Sequence, residues 1–99
     1  MASLTAQGVV DEIAAHIRKQ GGNTASWYAG IAANAEQRVF GDHNVPRDHW
    51  WIYRPAGSSA AARSAEKALL AWGCDGGGGG GDVNSVYVYA YLKTSTTRE

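Results

Sequence analysis

Cysteine is nearly absent from this chain: Cys74 is the only one in 99 residues. A single thiol excludes an intrachain disulfide and any zinc site built on a cysteine pair, and it fits a reducing compartment. Long apolar runs are missing as well. No stretch approaches the roughly 20 apolar residues that span a bilayer, and the first residues carry no charged-then-apolar leader pattern. The expectation is a cytoplasmic protein without a membrane segment. An excess of either charge is lacking too, since nine Lys plus Arg balance nine Asp plus Glu. Strong non-specific nucleic-acid binders normally carry a basic excess, so any such contact must come from a local patch. Arg47 and Arg54 flank one aromatic segment, and Lys93 and Arg98 lie in the tail.

Aromatic residues are plentiful. Four Trp (27, 50, 51 and 72) and five Tyr (28, 53, 87, 89 and 91) are spread along the chain, and each can bury about 150–250 Å². The length fits one domain, 1–99, with one modest core.

Within residues 1–22, Val10, Ile13, Ala14 and Ile17 recur at helical spacing over 4–20. Ser3 or Thr5 can cap that helix, Gly21-Gly22 can end it, and His16 falls on its surface. Residues 26–31, Ser-Trp-Tyr-Ala-Gly-Ile, read as a strand. Asn34 and Gln37 form a capping pattern for a short helix, Ala35 to Phe40, stopped at Gly41. Residues 41–48 are a loop. A second strand covers 49–54 and closes at Pro55. Ser58 or Ser59 caps a helix with stripe Ala62, Ala65, Leu69 and Trp72, ended by Gly73. Residues 74–84 form a glycine-rich loop around Gly76–Gly81. No Gly-Lys-Ser/Thr ending follows, which excludes a phosphate-binding loop. In a third strand, 85–92, Val86, Val88, Ala90 and Leu92 face one way and Tyr87, Tyr89 and Tyr91 the other. Residues 94–99 read as a flexible tail. The order predicts an α+β fold, a small, mostly antiparallel three-stranded sheet flanked by three helices.

Tyr28-Ala29-Gly30-Ile31, then Arg38, then His43, resembles the second half of the signature of the GIY-YIG nuclease superfamily. There a strand carrying Tyr-x-Gly feeds a short helix bearing an Arg, and an apolar residue, here Val39, and often a His follow. A further strand and a helix with a metal-binding Glu come next. Strand 49–54 and Glu66, in Ala65-Glu66-Lys67-Ala68-Leu69-Leu70, keep that order. The match spans roughly residues 26–72. It departs from the family at its start: the Gly-Ile-Tyr strand should precede Tyr28 by a hairpin, and here a helix and a polar turn stand there. Val86-Tyr87-Val88-Tyr89 resembles the missing strand, so a circularly permuted or divergent chain should pair 85–92 with 26–31.

The resemblance implies a divalent-metal-dependent endonuclease hydrolysing phosphodiester bonds in DNA. Glu66 would be the single protein ligand to Mg²⁺ or Mn²⁺, with water and phosphate oxygens completing the shell. Arg38 would fork onto the scissile phosphate. Tyr28 would act as general base or orient the water. Tyr87 or Tyr89 would be the second tyrosine, and His43 a proton shuttle or phosphate contact. Each has a plainer reading. Glu66 can pair with Arg63 on the helix surface. Arg38 can be a solvated helix residue and Tyr28 a core aromatic. Gly30 can serve only close packing, and His43 and His49 can be structural. Trp50-Trp51 can stack on bases, although adjacent strand residues face opposite ways. The alternative function is a catalytically inactive binding or inhibitor protein of the same fold, such as a phage or host-defence accessory. With no room for a separate DNA-binding domain, a protein partner or homo-oligomer is expected to help select the substrate.

Overall fold

The computed structural model describes residues 6–21, 23–45, 50–76, 85–94 and 97. In chain order these form α1 (Ala6–Lys19), a 3₁₀ turn (Thr24–Ser26), β1 (Trp27–Ala32), a π-helical turn (Gln37–Asp42), β2 (Trp51–Pro55), α2 (Ser59–Trp72) and β3 (Tyr87–Leu92). The result is a small α+β fold around a three-stranded antiparallel sheet. No helix of the described residues is long and apolar enough to cross a membrane.

The last strand takes the middle place, giving the order β1-β3-β2. It pairs with β1 from Trp27↔Leu92 to Ala32↔Tyr87, and with β2 from Trp51↔Tyr91 to Pro55↔Tyr87. The pairing expected of strands 26–31 and 85–92 is therefore present. A central strand is covered on both faces, and Val88 to Tyr91 are all buried. Alternation then sorts its side chains. Val88 and Ala90 join Ala29, Ile31 and Ile52 on the helical face, whereas Tyr89 and Tyr91 join Ala32, Ala35, Val39 and Val45 on the other.

The helical face is closed by two amphipathic helices. α1 buries Val9, Ile13, Ala14 and Ile17. α2 contributes Ala62, Ala65 and Leu69, and its small residues let it approach the sheet closely. The Ser58 side chain accepts the Ala61 N–H at 3.1 Å, capping the start of α2. Gly73, at φ 128°, ends it by donating to the carbonyls of Leu69 and Leu70. The chain then returns along the outer edge of β1. The Asp75 N–H donates to the Trp27 carbonyl at 2.8 Å, and Ala29 donates to Asp75 at 2.9 Å. This single parallel bridge covers an edge that would otherwise present unpaired backbone.

Several expected boundaries move. The short helix does not stop at Gly41; it widens into a π turn through Asp42, capped at His43. β2 begins at Trp51 and includes Pro55, and β3 begins at Tyr87. Trp50 is 49% exposed, and Trp51 packs against the aromatic face. His16 is not simply helix surface: its ring meets Trp27 edge-on at 5.6 Å. The Ser3 or Thr5 cap, Gly22, Arg47, His49 and Gly77 to Gly81 lie outside the described residues, as do residues 98–99.

Candidate functional site

The site grows from the turn that follows β1. Asn34 accepts the Gln37 N–H through its side chain at 3.1 Å and the Arg38 N–H through its carbonyl, also at 3.1 Å. The His43 N–H donates to the Arg38 carbonyl at 2.9 Å, a five-residue step. This wide π turn sets His43 one turn beyond Arg38. It also carries His43 under the sheet, where the residue is 6% exposed.

There the imidazole bridges two phenols of β3. Nε2 lies 2.8 Å from the Tyr89 hydroxyl, and Nδ1 lies 3.0 Å from the Tyr91 hydroxyl. In a neutral ring one nitrogen donates and the other accepts, so the two hydroxyls take opposite roles toward it. The half-buried Tyr28 ring completes the cluster, 4.9 Å from His43 and 5.3 Å from Tyr91. The role of Gly30 follows from its cross-strand partner, Tyr89. A Cβ at Gly30 would lie 2.5 Å from the Tyr89 hydroxyl and 2.6 Å from its Cζ. Glycine lets the Tyr89 ring cross β1 on its way to His43, the close approach the sequence suggested.

Tyr28, His43 and Tyr89 are thus brought together, with Arg38 one turn from His43. Arg38 is exposed and lines a shallow groove of about 200 Å³ with Ala32, Ala33, Asn34 and Gln37. Tyr87 stands apart at the other end of β3. Its ring meets Tyr53 edge-to-face at 6.1 Å, and both border a groove of about 300 Å³ with residues 33–36. The Tyr53 hydroxyl donates to Glu36 at 2.9 Å. That bond holds the Tyr53 phenol above its usual pKa range, and burial and the Glu36 charge add to the effect.

Glu66 stands apart as well. It lies on α2 among Ala62, Ala65 and Leu69, which face the helical side of the sheet, opposite the Tyr28 ring. It is 6% exposed. Burial pushes its pKa up, and the charge of Arg63 offsets part of that rise. Mg²⁺ bound through one carboxylate keeps several waters. A buried carboxyl on the far side of the sheet leaves no room for them near Tyr28, so the residues as placed do not fit the metal site that the resemblance implies. Among the described residues, no three His, Cys, Asp or Glu side chains gather to hold an ion.

Sequence reading counted Tyr91 as sheet face and gave Tyr53 and Glu36 no role. The two-residue spacing of Tyr89 and Tyr91 shows that they share a face, but nothing local shows that a loop histidine reaches both. No family model, curated protein or solved structure matches this chain.

Proposed function

We propose that this chain is a GIY-YIG-like domain that engages the phosphodiester backbone of DNA through Arg38 and Tyr28, as an endonuclease. One observation carries the proposal. The strand that a permuted chain would supply sits beside β1, and its Tyr89 packs over Gly30 of the Tyr-x-Gly segment. Arg38 is exposed on the turn that leads to His43, and an exposed guanidinium can fork onto two phosphate oxygens. Tyr28, half-buried beside His43, can hold a water or a phosphate oxygen through its hydroxyl. His43, bound to two buried phenols, fixes the floor beneath Tyr28 rather than reaching substrate.

A second reading is a catalytically inactive binding or inhibitor protein of the same fold. The placement of Glu66 favours it, because the substrate-contact half of the site is assembled without its metal half. Zero net charge favours it too, because a neutral chain steers weakly toward DNA.

The deciding experiment is cleavage of supercoiled plasmid and of short single-stranded and branched DNA, with Mg²⁺ or Mn²⁺. Wild type, Arg38→Ala and Glu66→Ala are compared. Cleavage lost in Arg38→Ala and with chelator, but kept by folded Glu66→Ala, supports the endonuclease with its metal held away from Glu66. Binding that needs Arg38, without cleavage, supports the second reading. Neither binding nor cleavage by folded protein removes DNA from the account.

A further inference from the structure

We infer that the groove between Tyr53, Tyr87 and Glu36 is a binding site for an organic ammonium cation. The inference is independent of the DNA reading. The Tyr53 and Tyr87 rings lie 6.1 Å apart between centroids and 78° apart in plane. In this edge-to-face pair the edge of one ring meets the face of the other, and the corner between them borders the groove with ring π surface. Such a surface attracts a cation placed within about 6 Å of the ring centre.

A fixed negative charge closes the third side. Glu36 is exposed, and its Oε1 accepts the Tyr53 hydroxyl at 2.9 Å. That bond immobilises the carboxylate and leaves its other oxygen free to accept from an N–H. The Tyr53 ring is held from behind by Trp51, stacked at 5.9 Å with planes 9° apart. The corner is therefore built before any ligand arrives, which lowers the ordering cost of binding.

The groove has about 300 Å³ of space, with Ala33, Asn34 and Ala35 along its rim and, among the described residues, no cationic side chain in its lining. Two described cations, Arg38 and Arg54, lie outside that lining. Arg38 lines the neighbouring groove beyond Asn34, and Arg54 pairs with Glu12 at 2.8 Å. A carboxylate and the π surface of the tyrosine pair disfavour an anion. A lysine or methylated lysine side chain on a partner peptide, or a small free quaternary amine, shares the chemistry that fits.

The test is an NMR titration of the full chain, following the Tyr53 and Tyr87 ring resonances. The probes are n-butylammonium, tetramethylammonium and the neutral 3,3-dimethylbutan-1-ol. Both cations should shift the rings saturably, with Kd of roughly 1–10 mM, and the neutral alcohol should not. Glu36→Gln should weaken cation binding by about fivefold, and Tyr87→Ala by at least as much. Tighter binding of n-butylammonium assigns the site to a lysine side chain, and tighter tetramethylammonium to a quaternary amine. Two results overturn the inference: shifts as large with the alcohol as with the cations, or no shift up to about 50 mM in protein whose spectrum shows it folded.

Discussion

On the helical side of the sheet, Ala29, Ile31, Ile52, Val88 and Ala90 meet Ile13, Ile17, Ala62, Ala65 and Leu69 with scarcely a polar atom among them. On the other side, alternate residues of the same strands present phenols and an imidazole: Tyr28, Tyr89, Tyr91 and His43. The first face is held by non-directional burial, which scales with area. The second is held by hydrogen bonds with fixed partners, which cost stability when one partner is lost and which orient what remains. One face therefore supplies stability and the other a defined surface. Substitutions that separate these two outcomes test the division.

Leu69→Ala should have the largest effect. Leu69 is fully buried on the helical side, and its loss should cost about 3 kcal/mol in denaturant unfolding. DNA or cation binding by the folded fraction should not change. Loss of either would show that the faces are not separable. Gly30→Ala should cost about 2 kcal/mol, because the new Cβ displaces the Tyr89 ring. Unlike Leu69→Ala, it should also weaken whatever Tyr28 binds beside the Tyr89–His43 pair. A Gly30→Ala protein as stable as wild type would mean that Tyr89 does not cross β1 there.

The bridging of His43 makes a further prediction. Tyr89→Phe and Tyr91→Phe should each cost about 1 kcal/mol. Because both hydroxyls serve one imidazole, the double variant should differ from the sum of the singles by at least 0.5 kcal/mol or so. Additive costs would mean that the two phenols do not communicate through His43.

The helical face was largely legible in the sequence. The α1 stripe, the Ser58 cap, the Gly73 stop and the alternation of β3 are local patterns with local causes. The antiparallel β1–β3 pairing was legible only through resemblance, because periodicity does not choose a strand's neighbour. The aromatic face was half legible. Tyr28, His43 and Tyr89 were named as a set, yet their hydrogen bonds span more than forty residues of sequence. The π turn that delivers His43 came from no local signal either, since Gly41 there reads as a stop. Glu66 misled for a physical reason. Four residues after Ala62 and three before Leu69, it sits at the edge of an apolar stripe, and sequence alone does not show how far the helix is rolled. His16 shows the same ambiguity against Trp27.

That roll gives Glu66 the smallest of the predicted effects and the one with the most chemistry in it. Burial raises its folded pKa above the ordinary value of 4.5. Below the unfolded pKa both states hold the proton, and the full stability is present. As pH rises through the folded pKa, the carboxyl must ionise inside the protein, and stability is lost. Glu66→Gln resembles the protonated form at every pH. It should match wild type near pH 4 and exceed it at pH 7.5 by a few degrees in Tm, about what 0.5–1 kcal/mol gives at this size. The pKa of His16 is lowered, chiefly by burial and then by the charges of Arg54 and Lys19. Its contribution is present above pH 6.5 and lost as pH falls below that. It is common to both proteins, so the difference between their melting curves isolates Glu66. Equal melting temperatures at pH 7.5 would mean that the carboxylate already has a partner. If Mg²⁺ raised the wild-type Tm and left Glu66→Gln unmoved, that partner would be a cation. The division between the two faces would then fail at Glu66, the one charged residue buried on the helical side among the described residues.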